Sequence, residues 1–221
     1  MRLSHPTVDL LELCIGYGLI LATIWTTNPA QPVLYWVAFA WIAVTAILRR
    51  KELDTHGLGA RGLLPSLWVV GVAVVIAAAG IAVARYLHTL HPLYGPLPVI
   101  THVWGYALWA LMQQFILQIY VLTRLLRLGL SRYPAIALSA SLFAIAHIPN
   151  PLLVALTLVW GTVSCTLFLR YRNLYTLAVA HGILGMTLAV AVPNDLSRHM
   201  RVGLGYVEYN SHQQARRLVK P

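Results

Sequence analysis

Long uncharged apolar segments constrain the fold of this chain more than any other sequence feature. They are rich in Leu, Val, Ala and Ile, and we place them at residues 9–27, 33–48, 67–84, 101–123, 135–148, 152–169 and 174–192. A membrane-spanning helix needs about 20 mostly apolar residues. Only 10% of the chain is charged, against roughly 25% in soluble domains. We therefore predict an all-α, polytopic transmembrane helix bundle of about seven spans, within a range of six to eight.

Positive charge is concentrated in alternate loops. Basic residues follow the second, fourth and sixth segments, for example Arg49, Arg61, Arg124 and Arg170, whereas the first loop has none. Cytoplasmic loops are enriched in Lys and Arg, so we predict that these loops and the N-terminus lie inside. Seven spans place the basic C-terminal tail outside, against that rule, unless one segment is not a full span or the tail contains a hidden one.

The same charge distribution bears on domains and partners. We predict one transmembrane domain over residues 1–193 and a basic polar tail over 194–221. The net charge of +10 comes from short clusters between apolar segments, as membrane orientation requires. No basic stripe interleaved with aromatic residues is present, so we expect no nucleic-acid partner. We expect a protein of the bacterial or archaeal cytoplasmic membrane.

Few polar side chains lie within the apolar segments, and such residues are functional candidates because their burial in lipid is costly. The fourth segment contains Gln113, Gln114 and Gln118. At 100° per residue their amides share one helix face. His147 ends the fifth segment and His181 lies in the seventh. We predict that these side chains converge on one interior cavity; the alternative is that the glutamines only bridge neighbouring helices.

Other candidates have weaker support. Trp109 lies on the same segment as the glutamines, where packing or an interfacial position is the alternative to ligand binding. The small polar residues Ser139, Ser141, Ser164 and Cys165 have no spacing that indicates a base, and such residues commonly pack helices together. Two histidines are fewer than the three or four ligands of a zinc site. We expect no metal and no cofactor.

Three short motifs resemble those of the CPBP (Abi) family, whose best-known members are the type II CAAX prenyl endopeptidases. The family has Glu-Glu-x-x-x-Arg, Phe-x-x-x-His and His-x-x-x-Asn on successive helices. The corresponding positions in this chain are Gln113, Gln114 and Gln118, then Phe143 and His147, then His181 and Gly185. The resemblance extends over about residues 53–186 and includes a weaker likeness at residues 57–61. It implies a CPBP-type intramembrane protease fold.

The resemblance also implies roles for individual positions. His147, His181, Gln113 and Gln114 occupy the family's catalytic positions, and Gln118, Phe143, Gly185 and Trp109 are the binding residues we expect. In the family the first glutamate is thought to activate water and the asparagine to stabilise an oxyanion. A glutamine amide can orient a water but cannot take its proton. We therefore expect no hydrolysis by the family mechanism.

Several functions remain open at this point. The first is a pseudoprotease that binds a prenyl chain, a lipid-like chain or a membrane peptide without cutting it. The second is an enzyme of altered chemistry that acts on an isoprenoid or lipid with histidine as acid or base. An active endopeptidase with histidine as base is a further alternative, as is an accessory or scaffold subunit of a membrane complex. The expected partners are accordingly a membrane lipid or isoprenoid-like ligand and, for the last case, a membrane protein.

Overall fold

The computed structural model of this protein describes residues 5–48, 55–91 and 99–219, which fold almost entirely into helices. Basic residues Arg49, Arg50 and Lys51 of the second loop lie outside the described residues. The helices are α1 (His5–Ile24), α2 (Ala30–Leu48), α3 (Leu63–Tyr86), α4 (Val99–Gln114), α5 (Thr123–Arg127), α6 (Arg132–Ile145), α7 (Pro151–Tyr171), α8 (Leu174–Ala191), α9 (Asn194–Ser197) and α10 (Gly203–Val219).

A wider helical segment joins α4 to α5. Residues Phe115–Leu122 form a π-helix, so that 99–127 is one continuous helix with a π-helical middle, which we call the π segment. Short 3₁₀ turns at Thr55–Leu58 and Arg198–Met200 complete the described elements.

Six of the described helices are long and apolar enough to cross a membrane: α1, α2, α3, the continuous helix through α5, α7 and α8. The fifth predicted segment, 135–148, instead forms α6, which has 14 residues. At about 1.5 Å per residue this helix is roughly 21 Å long, shorter than the roughly 30 Å hydrocarbon core. The predicted all-helical membrane bundle is confirmed, with six long apolar helices and one short one.

An asparagine side chain caps the N-terminus of α7, and another caps the N-terminus of α8. Asn150 precedes α7 and its side chain accepts a hydrogen bond from the Leu153 amide, while Pro151 occupies the first helical position. Asn173 caps α8 in the same way, by accepting from the Thr176 amide. A side-chain oxygen at this position satisfies an amide that the helix itself leaves unpaired, and proline needs no such partner there. These caps fix where both helices begin.

The helix ends meet at two opposite ends of the bundle. At the first, which we call the basic end, the Asn173 side chain donates to the Gly59 carbonyl at 3.1 Å and Tyr175 donates to the Leu58 carbonyl at 2.9 Å. Gly62 has a φ of +82° there, and a Cβ on it would lie 1.9 Å from the Tyr171 carbonyl oxygen. Only glycine fits this close approach.

The opposite end, which we call the tail end, holds the C-terminal segment. The Gly203 amide donates to the Ile148 carbonyl at 2.8 Å, and the Asn150 side chain donates to the Ser197 carbonyl at 2.9 Å. Thr89, just after α3, donates to the Ala191 carbonyl at 3.0 Å. The predicted polar tail is thus folded as α9 and α10 and tied to the bundle.

Helix α6 runs from the basic end to the tail end despite its length. It begins just after α5, at the basic end. In the turn that follows it, the Ile148 carbonyl accepts from the Gly203 amide and the His147 carbonyl accepts from the Asn150 amide at the start of α7. In the described part of the chain, α1, α2, α3, the continuous helix 99–127, α6, α7 and α8 therefore run alternately between the two ends, and α10 lies at the tail end. The sequence analysis offered two ways to bring the basic tail to the same side as the basic loops, and one was that a segment is shorter than a full span. Helix α6 is such a segment, but it still runs from one end to the other, so the tail stays opposite the basic end.

Candidate functional site

Three buried polar side chains connect α4, the π segment and α7 to a histidine of α8. The Gln114 amide nitrogen donates to His181 Nδ1 at 3.2 Å, and the Gln118 amide nitrogen donates to the Gln114 oxygen at 3.1 Å. Gln118 also donates to the Ser164 hydroxyl at 3.1 Å. The side chains of Gln114, Gln118 and Ser164 are fully buried. We call this set of four residues the amide network.

The amide network determines which nitrogen of His181 carries the proton. Because Gln114 donates to Nδ1, that atom of the neutral ring is the acceptor and Nε2 carries the hydrogen. Aromatic rings surround the imidazole, with the Phe143 centroid 6.0 Å away and the Trp160 centroid 5.9 Å away. His181 therefore presents a hydrogen-bond donor at Nε2.

His147 has the opposite arrangement. Its Nδ1 lies 2.7 Å from the Phe143 carbonyl oxygen, one turn earlier in the chain. A carbonyl only accepts, so Nδ1 carries the hydrogen and the neutral ring presents an acceptor at Nε2. The Phe143 ring lies 4.9 Å from this imidazole as well as against His181. One aromatic side chain thus contacts both histidines, which present complementary atoms.

A cavity of about 210 Å³ lies between the α1–α2 pair and the wall formed by α4, the π segment and α6. Four of the site residues predicted from the sequence line it: Trp109, Gln113, Phe143 and His147. Most of the remaining lining is aliphatic or aromatic.

The other predicted site residues are not in the cavity lining. Gln114, Gln118 and His181 belong to the amide network, and Gly185 lies one turn beyond His181. The structure therefore places Gln113 and His147 at this cavity and Gln114 and His181 in the amide network, with Phe143 against both histidines. Successive helical residues point about 100° apart, so Gln113 faces the cavity while Gln114 faces α8.

The π segment changes the geometry that the sequence analysis assumed after Gln114. A π-helix closes each turn with one more residue than an α-helix, and such segments occur frequently at functional sites. Gln118 lies within it and still bonds to Gln114. The sequence has no signal for this widening.

Tyr106 occupies the space in front of Gly185. A Cβ on Gly185 would lie 2.0 Å from the Tyr106 hydroxyl oxygen, and a Cβ on Gly182 would lie 3.9 Å from Ala110. Small residues on α8 thus let α4 approach closely. The sequence analysis did not single out Tyr106, which lies about two helical turns before Gln113 and Gln114 on α4.

The acidic residues of α1 are engaged away from the amide network. Glu12 pairs with Arg124 at 3.1 Å, and Asp9 pairs with Arg127 at 2.8 Å. Arg124 is fully buried, and its guanidinium lies 3.9 Å from the centre of the Tyr120 ring. It follows Gln114 by ten residues, or roughly 15 Å along a helix. Because Asp9 and Glu12 pair with arginines at the far end of this helix, their carboxylates lie well away from Gln114.

In the described part of the chain, His, Cys, Asp and Glu side chains form no group of three or more suited to hold a metal ion. The expectation of no metal or cofactor stays a prediction.

Comparison with known proteins identifies one family. Residues 95–187 match the family model described as type II CAAX prenyl endopeptidase Rce1-like. No curated protein and no solved structure matches the chain. The matched segment contains α4 to α7 and α8 as far as residue 187, and therefore all three motifs. With six apolar helices of spanning length, the chain is an integral membrane protein whose resemblance to the type II CAAX prenyl endopeptidases is confirmed over residues 95–187.

Proposed function

We propose that this protein is a pseudoprotease, which holds a prenyl chain, a lipid-like chain or a membrane peptide in its cavity without cleaving it. The observation that carries the proposal is the apolar cavity lined by Gln113 and His147, in which an amide takes the position of the family's water-activating glutamate. The surrounding helices supply binding surface, and the amide supplies hydrogen bonds but no base.

The expected loss of catalysis is large. Help from a positioned general base contributes about 10²–10⁴-fold to a rate. Loss of one oxyanion donor costs a further ~10²–10³-fold, and Gly185 has no side chain that could donate. Tyr106 fills the space in front of it. Peptide hydrolysis at this site is therefore expected to lie near background.

Among the described residues that line the cavity, none is a carboxylate that could replace the missing base. Asp9 and Glu12 are paired with arginines near the basic end. Asp195 and Glu208 belong to α9 and α10 at the tail end. Glu52 and Asp54 lie outside the described residues. This distribution favours binding over hydrolysis.

One observation favours a second candidate, an enzyme that uses histidine. His147 presents an acceptor nitrogen at the cavity, and His181 presents a donor on the far side of Phe143. The unprotonated nitrogen of a neutral imidazole can take a proton as a general base. Altered chemistry on an isoprenoid or lipid, or peptide cleavage with His147 as base, would use this atom.

The amide network is also what a scaffold subunit would use to join its helices. Interhelical hydrogen bonds from Gln and Ser stabilise membrane bundles without any ligand. A stoichiometric membrane-protein partner without a bound small molecule would favour this third reading.

Cleavage and ligand binding are tested on the purified full-length chain. We expect no cleavage of a farnesylated CAAX peptide above the rate without protein. Cleavage that the His147→Ala substitution abolishes would contradict the pseudoprotease proposal and favour the histidine enzyme.

Mass spectrometry of copurifying small molecules tests the cavity directly. Ala43 lines the cavity, whereas Ala79 lies on the exposed face of α3. We expect a lipid-like molecule to copurify with the wild type and the Ala79→Phe control and to be lost from Ala43→Phe. A molecule retained equally by all three proteins would contradict binding in this cavity.

A further inference from the structure

The cavity has no charged residue in its lining. Among the 22 described residues that line it, none is Asp, Glu, Lys or Arg. An ionised group placed there without a partner would lose its hydration with nothing to replace it, at a cost of several kcal/mol or more. The cavity therefore disfavours a phosphate, diphosphate or carboxylate head group.

The nearest arginine along the chain lies outside the lining. Val202 lines the cavity, and its neighbour Arg201 is exposed at the tail end. The Arg201 guanidinium lies 5.2 Å from the centre of the Tyr209 ring on α10. This contact directs the positive charge toward α10.

Some polar atoms of the lining are already paired within the protein. Tyr17 donates to the Leu142 carbonyl at 2.9 Å, and Thr23 donates to the Leu19 carbonyl at 2.8 Å. These hydroxyls have used their hydrogens. They are available to a ligand only as acceptors.

Other polar atoms of the lining are available. Ser139 is fully buried, and its hydroxyl has no hydrogen-bond partner. A buried polar atom without a partner costs about 1–3 kcal/mol, so a ligand that pairs with it binds more tightly. His147 offers Nε2 as an acceptor, and Gln113 brings an amide to the same cavity. One acceptor and two groups able to donate thus face an otherwise apolar space.

The apolar part of the cavity is bordered by aromatic residues exposed on the outside of the bundle. Tyr35 on α2 and Trp109 on α4 stack with ring centroids 6.2 Å apart, and they are 37% and 41% exposed. Both also line the cavity, as does exposed Phe39. The cavity therefore reaches the lipid-facing surface between α2 and α4. A chain in the bilayer has a lateral path to His147.

We propose that the ligand is an uncharged amphiphile with a long apolar chain and a hydroxyl head, of the class of isoprenoid and fatty alcohols. Its hydroxyl hydrogen donates to His147 Nε2, and its oxygen accepts from Ser139 or Gln113. The chain lies along the aromatic side of the cavity toward Tyr35 and Trp109. This assignment rests on the proposed ligand-binding function and adds the chemistry of the head group.

Three photoreactive probes with the same fifteen-carbon isoprenoid chain test the assignment on the full-length chain in phosphatidylcholine nanodiscs. One ends in a free hydroxyl, one in a methyl ether that cannot donate, and one in a diphosphate. We expect saturable crosslinking in the order alcohol, then ether, then diphosphate, with the ether about 3- to 10-fold weaker than the alcohol, because one hydrogen bond is lost.

Variants identify the side chains that form hydrogen bonds with the hydroxyl group of the ligand. Ser139→Ala and His147→Ala should each weaken alcohol binding by about 3- to 10-fold. Only His147→Ala should also reduce the preference for the alcohol over the ether, because the ether keeps the oxygen that accepts from Ser139 and lacks the hydrogen that donates to His147. Thr162→Val is the matched control, since its hydroxyl is exposed and bonded to the Leu158 carbonyl on α7. It should bind like the wild type. Size-exclusion elution identifies any variant that has not folded. If His147→Ala fails, the alcohol-over-ether preference of the wild type tests the donated hydrogen, and weaker binding of both probes by Ser139→Ala tests the accepting oxygen.

Each outcome of the probe experiment has a distinct meaning. Equal crosslinking by all three probes would contradict the hydroxyl assignment while leaving chain binding intact. Strongest crosslinking by the diphosphate, with loss on Arg201→Gln, would overturn it in favour of an anionic head at the tail end. No saturable crosslinking by any probe would contradict isoprenoid binding itself, and with it the proposed function for this class of ligand.

Discussion

Substituting amides for carboxylates changes what residue 114 can do in a buried site. A glutamate there would be a fully buried acceptor beside Gln118 and His181, and its charge would need compensation. Gln114 instead donates to His181 and accepts from Gln118. It therefore links both neighbours without a net charge. At the scale of single residues, the site is built for neutral hydrogen bonding.

Replacement of Gln114 tests this role. Gln114→Ala leaves His181 Nδ1 without its hydrogen bond and removes one of the two hydrogen bonds that the Gln118 amide nitrogen donates, and an unsatisfied buried group costs about 1–3 kcal/mol. We expect a loss of at least about 1 kcal/mol in the free energy of unfolding, measured in detergent–SDS mixtures. Gln113→Ala is the control, since Gln113 borders the cavity and lies outside the amide network. Equal losses in the two variants would contradict the network.

At the scale of helices, hydropathy and the three motifs were sufficient to predict the bundle and to place the site on α4 to α8. Burial in lipid is a matter of composition and length, which one sequence carries. The division of Gln113 and Gln114 between cavity and network could not be predicted, because it depends on how α4 is rotated against α8. The same holds for Tyr106 opposite Gly185 and for the π segment, which arise from packing between helices.

The contact between α4 and α8 gives a prediction at this scale. A methyl group on Gly185 would meet the Tyr106 hydroxyl oxygen at 2.0 Å, whereas one on Gly105 would meet nothing within 4 Å. Overpacking typically costs about 1–3 kcal/mol. We expect Gly185→Ala to lower the free energy of unfolding by that amount and Gly105→Ala to leave it unchanged or raise it slightly.

A double-mutant cycle separates this contact from other causes. In a Tyr106→Ala background the cost of Gly185→Ala should largely disappear, because neighbouring substitutions are not additive. An undiminished cost would show that Tyr106 is not the obstacle. The contact also means that restoring the family's asparagine at position 185 requires a smaller residue at 106.

At the scale of the whole molecule, the charge distribution and the helix order assign the two ends to different sides of the membrane. In the sequence, ten of the 16 Lys and Arg residues precede α1 or lie within residues 49–61, 124–132 and 170–172, and the other six are Arg85 and five residues of the C-terminal segment. The positive-inside rule weighs the short loops. From this rule we expect the basic end in the cytoplasm and, because the described helices alternate between the two ends, α10 on the other side.

Cysteine labelling with an impermeant maleimide tests this orientation. Gly59 at the basic end has open space around its Cβ position, and Ser211 is exposed on α10. In a Cys14→Ala background, with Cys165 buried, we expect Ser211→Cys to be labelled in intact cells. Gly59→Cys should be labelled only after permeabilisation, because the basic loops lie inside. Labelling in the opposite order would show that the orientation is inverted. Labelling of both cysteines from one side would contradict the placement of α10 and the basic end on opposite sides of the membrane.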